Sequence, residues 1–72
     1  MTQEQIHNII SEVETKYLLH IRDAATDADY VRLTEEMLGM MTAKGLEITK
    51  IYSEGNRLQG YYIEGVKGYY AV

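Results

Sequence analysis

Gly60-Tyr61-Tyr62-Ile63-Glu64-Gly65-Val66-Lys67-Gly68-Tyr69-Tyr70-Ala71-Val72 decides the fold of this 72-residue chain, because it writes the same Gly-Tyr-Tyr pattern twice, eight residues apart. Two short aromatic runs separated by a glycine-bearing turn predict adjacent antiparallel strands. Side chains alternate along a strand, so each Tyr-Tyr pair must divide, one ring to each face. Upstream, from Leu46, β-branched and aromatic residues again recur with a period of two, which adds a strand before the pair. The predicted strands cover about residues 46–54, 57–64 and 69–72.

Turn chemistry sets the expected registers. Gly55-Asn56 suits a two-residue turn that pairs Ile48 with Ile63 and Glu54 with Arg57. A three-residue loop over Ser53-Glu54-Gly55, with Gly55 in a bulge, is the competing arrangement and turns the first strand over relative to the second. A second turn at Val66-Lys67 places Ile63 opposite Tyr70 and Tyr61 opposite Val72. One face then carries Leu46, Ile48, Tyr61, Ile63, Tyr70 and Val72 and is the better core. The other carries Ile51, Leu58, Gly60, Tyr62, Tyr69 and Ala71.

The residues before Leu46 have helical periodicity. Thr2-Gln3-Glu4-Gln5 has the form of a capping box, with Thr2 at the N-cap and Gln5 three positions on. At about 100° per residue, Ile6, Ile9, Ile10, Val13, Tyr17, His20 and Ile21 form one stripe, predicting a helix over about residues 3–22. Leu19 alone falls on its back. Thr26 or Asp27 can cap a second helix over about residues 27–44, with Tyr30, Leu33, Met37, Met40 and Met41 on its apolar face and Val31 and Leu38 widening it. Lys44-Gly45-Leu46 supplies the stop signal. The expected architecture is one α+β domain spanning residues 1–72, of order ααβββ: an antiparallel helical hairpin packed on one face of a three-stranded antiparallel meander.

Composition excludes several functions. There is no cysteine, so neither disulfides nor thiolate metal sites are available, and a cytoplasmic setting is the simplest expectation. A core of this size buries only about 60% of the unfolded surface, which makes burial in a homo-oligomer such as a dimer attractive. Tyr17-Leu18-Leu19 is the longest strongly apolar stretch of the first half, far too short to span a membrane. The net charge is -4, and the acids concentrate in residues 1–45. Small acidic stand-alone domains are common among phage and mobile-element inhibitors, an origin that composition alone suggests.

Chemistry-bearing motifs are sparse. His7 and His20 stand roughly 220° apart on the first helix and cannot share a metal. His20 lies in the apolar stripe and is expected as a packed histidine. Asp23, Asp27 and Asp29 lack the spacing of a calcium loop and suit helix capping. The carboxylate pairs Glu12/Glu14 and Glu35/Glu36 sit on expected solvent faces, with no pocket to shift their titration. No nucleophile motif, phosphate loop, catalytic residue, metal site or cofactor is expected. The helices-then-hairpin order resembles that of winged-helix modules, but the second helix begins with acids where a recognition helix meets phosphates.

The meander carries more apolar side chains than one face can bury. The expected function is therefore non-enzymatic: a small regulatory or interaction protein that contacts another protein or itself through Ile51, Leu58, Tyr62 and Tyr69. The alternative is weak nucleic-acid binding, with the tyrosines as a stacking platform. Lys50, Arg57 and Lys67 are offset there by Glu47, Glu54 and Glu64, which disfavours backbone affinity.

Overall fold

A computed structural model describes residues 1–72. Helix α1 spans Gln3–Arg22 and α2 spans Asp27–Ala43, followed by β1 (Ile48–Tyr52), β2 (Leu58–Ile63) and β3 (Tyr70–Ala71). The strands form one antiparallel sheet in the order β1-β2-β3. The helix–helix–meander order is the expected one, with shorter strands.

Local chemistry places the helix ends. The Gln5 amide donates to Thr2 Oγ1 (3.1 Å) and the Thr2 amide to Gln5 Oε1 (2.8 Å), completing the capping box. Thr26 Oγ1 accepts from the Asp29 amide at 3.1 Å, so the threonine rather than Asp27 is the second cap. At the end of α2, Gly45 takes φ of 106° while the Leu46 amide reaches Met41 O (3.1 Å) and the Gly45 amide reaches Thr42 O (3.0 Å). This doubly bonded glycine stop folds Leu46 back onto the core.

Ile6, Ile10 and Val13 from α1, Met37, Leu38 and Met41 from α2, and Leu46, Leu58, Tyr61 and Ile63 beyond them form the core. Thr34 is buried among them, its hydroxyl donating to Tyr30 O (2.8 Å), so it brings no unmet polar group inside. Tyr17 and Ile21 are only half-buried and His20 is exposed, contrary to the packed histidine expected of the stripe. The stripe outruns what covers it. α1 is about 30 Å long, whereas a two-residue strand such as β3 extends about 7 Å.

Contacts from each helix fix its place over the sheet. Gln3 Nε2 donates to Gly65 O in the β2–β3 turn. On the other side Tyr52 Oη donates to Glu35 Oε1 (3.3 Å), and Arg57 pairs with Asp27 at 3.5 Å. The first half of α2 is thus tied to the β1–β2 loop end of the sheet, and Lys44 of its cap reaches Glu12 of α1 at 3.1 Å.

The β1–β2 connection departs from both expected turns. The Asn56 amide bonds Ser53 O (2.9 Å) and the Ser53 amide bonds Arg57 O (2.8 Å), which leaves Glu54, Gly55 and Asn56 as a three-residue loop. Asn56, not Gly55, takes the left-handed conformation, at φ of 59°. Next to the loop Tyr52 opposes Leu58, yet Ile51 opposes Gly60, so Gln59 is an extra residue in β2. The loop shifts the register by one and the bulge shifts it back, so Ile48 still faces Ile63 as expected.

In the second turn the Val66 amide bonds Ile63 O (3.0 Å), and Gly65 holds φ of 88° at the third turn position. That conformation requires glycine, which displaces the turn from the expected Val66-Lys67. Tyr61 consequently pairs with Tyr70, and Gly60 with Ala71, two residues away from the expected register. A shift of two preserves every face.

Candidate interaction surface

Each Gly-Tyr-Tyr does divide. Tyr61 and Tyr70 meet on the helix side with ring centroids 5.0 Å apart and planes within 4°. Tyr62 and Tyr69 meet on the opposite side, 5.1 Å apart and tilted by 52°. The duplicated tripeptide therefore produces two cross-strand tyrosine pairs, back to back through the same two strands. Each such pair contributes about 0.5–1.5 kcal/mol beyond the area it buries.

The inner pair belongs to the core. Tyr61 is 8% exposed. Burial pushes its phenol up to about 12, with Glu14, Tyr70 and Tyr30 adding to the shift. The outer pair faces solvent, with Tyr62 47% and Tyr69 45% exposed.

Of the four surface residues expected from sequence, three are where alternation put them. Tyr62 and Tyr69 are exposed and Ile51 is half-buried. Leu58 is not at the surface: it is 1% exposed and belongs to the core. The bulge at Gln59 is the cause. Counting back from Tyr62 by twos puts Leu58 on the outer face, but the extra residue between Leu58 and Gly60 turns Leu58 inward.

Gly60 sits at the centre of the outer face, and the ring of Tyr69 lies across it. A Cβ at Gly60 would overlap the Tyr69 phenol and stand 2.6 Å from Tyr70 O. The absence of a side chain at Gly60 leaves room for the phenol end of Tyr69. Thr49 opposes Tyr62 and Ala71 opposes Gly60, both exposed, so no charged side chain interrupts the middle of this face.

Charge gathers at the margin. The Glu64 amide bonds Glu47 O (2.9 Å), and by alternation these exposed residues continue the outer face at the β2–β3 turn end. Among the three bases of the sheet half, Arg57 is engaged with Asp27, Lys50 is half-buried opposite Tyr61 on the helix side, and Lys67 is exposed in the β2–β3 connection, one base against the two acids there. The tyrosine face therefore has an apolar centre and an acidic edge.

Other residues weighed for chemistry stand apart. His7 and His20 are both exposed, and no three His, Asp or Glu side chains gather as metal ligands. Glu36 pairs with Arg32 at 3.0 Å, and Glu12 with Lys44. Leu19 is 59% exposed, as its place on the back of α1 implied, and Leu18 is 50% exposed. Sequence reasoning did not single out Tyr52. Burial, followed by the charge and hydrogen bond of Glu35, raises its pKa. Its inward parity with Ile48 along β1 was the available signal. No helix is long and apolar enough to cross a membrane.

No protein-family model matches this chain, and neither a curated protein nor a solved structure does.

Proposed function

We propose that this protein is a small non-enzymatic interaction module that engages a protein partner through the outer face of its sheet, with Tyr62, Tyr69 and Ile51 at the centre. The observation that carries this reading is the exposed Tyr62–Tyr69 pair, held 5.1 Å apart over Gly60 on a face without central charge. Tyrosine is enriched at protein interfaces because it offers a rigid apolar body with a hydrogen-bonding end. The acidic edge at Glu47 and Glu64 favours a partner with an apolar patch bordered by lysine or arginine. The same edge disfavours nucleic acid, whose backbone affinity requires unopposed cations.

The test compares wild type with the Tyr62→Ser/Tyr69→Ser double variant in cross-linking capture, with Leu19→Ser as a surface control. Loss of the captured protein in the double variant alone, together with binding that withstands added salt, supports the reading. Binding that collapses steeply with salt and is competed by single-stranded nucleic acid points to the stacking-platform alternative instead.

A further inference from the structure

The free edge of β3 offers a second binding element, distinct from the face. The Val72 amide bonds Gln59 O (2.9 Å), and Tyr70 opposes Tyr61. In an antiparallel ladder the main-chain groups of alternate residues point to opposite sides. Tyr70 and Val72 therefore bond toward β2, and the N–H and C=O of Ala71, with those of Tyr69 before it, point outward.

Sheet edges in soluble proteins are usually blocked by a charge, a proline or a bulge. β1, the other edge, carries Lys50 on the helix side of the sheet. From Gly68 to Val72 there is no charge and no proline. Tyr70 is held by its stack on Tyr61, so the edge is presented in extended form.

We infer that β3 pairs antiparallel with β3 of a second copy, about a twofold axis at Tyr70, to make a continuous six-stranded sheet. A twofold contact requires a self-complementary segment, and this one qualifies. With Tyr70 opposite Tyr70 of the second copy, Ala71 faces Tyr69 of the other chain and their outward main-chain groups exchange hydrogen bonds. Each Tyr69 ring then meets a small alanine across the axis, as it meets Gly60 within its own chain. No like charges face each other along the paired segment. The two outer faces become coplanar, which joins both tyrosine pairs into one surface. This pairing does not depend on what that surface binds.

Ala71→Pro tests it in the full chain. Proline at this position removes only the outward N–H and leaves the Val72 bond to Gln59 in place. Sedimentation across a concentration series should show wild type dimerising, Tyr62→Ser dimerising equally, and Ala71→Pro weakened by about tenfold or more. Hydrogen exchange on wild type supplies a readout independent of the variant's folding: the Tyr69 and Ala71 amides should gain protection as concentration rises. A wild-type monomer throughout, exchange at those amides that is independent of concentration, or a dimer undiminished by Ala71→Pro overturns the inference. Each of those results leaves the outer-face reading standing.

Discussion

The phenol of Tyr69 occupies the space in which a side chain on Gly60 would stand. Gly60→Ala should therefore destabilise the fold by about 1–3 kcal/mol, the usual cost of overpacking. Denaturant melts of Gly60→Ala, Tyr69→Ala and the double variant would apportion it. Removing the ring should recover only part of the loss, because Tyr70 O stands 2.6 Å from the new Cβ and belongs to the backbone.

The first loop makes an opposite pair of predictions at neighbouring positions. Asn56 holds φ of 59°, so Asn56→Ala should cost about 1–2 kcal/mol while Asn56→Gly is neutral or better. Gly55 has open space around its Cβ position and no left-handed φ. Gly55→Ala should change stability by less than about 0.5 kcal/mol. Equal sensitivity at the two sites would restore the two-residue turn.

Leu58 and Tyr62 should separate core from surface. Leu58→Ala removes a fully buried side chain and should cost about 2–5 kcal/mol in chemical denaturation. Tyr62→Ser removes a side chain that is 47% exposed together with its tilted contact with Tyr69, should cost less than Leu58→Ala, about 1.5 kcal/mol or less, and should leave the fold intact by circular dichroism. If Leu58→Ala were the milder change, the bulge at Gln59 would be misplaced.

Alkaline stability should report on Tyr61. An unfolded tyrosine titrates near 10, whereas in the folded chain burial holds the Tyr61 proton up to about 12. Above pH 10 the unfolded state binds fewer protons, so stability falls as pH rises. Urea melts should show this contribution intact below pH 10 and lost progressively through about pH 12. Tyr61→Phe should flatten that slope.

Most of the fold was legible where one local signal acts alone. The capping box of Thr2 and Gln5, the Thr26 cap and the Gly45 stop each satisfy nearby backbone groups, so a few residues suffice to specify them. The division of the tyrosines was legible because alternation survives a register shift of two, which is the error that occurred at β3. Leu58 was not legible, because two irregularities of opposite sense lie on either side of it and only one has a turn signature. Gln59 carries no glycine or proline to mark a bulge. His20 was misassigned for a different reason: a helical stripe records which side faces inward, but not how far the opposing sheet extends beneath it.

The three-residue loop and the extra Gln59 act on the strand as paired frameshifts act on a coding sequence. Everything before the first and after the second is read in the original phase, and only the interval between them is recoded. Leu58 is the one apolar residue in that interval, and the recoding turns a would-be surface leucine into a filled core position. The tyrosine face is the chief beneficiary: with Leu58 withdrawn, the centre of the sheet is left to Gly60 and the ring that lies across it.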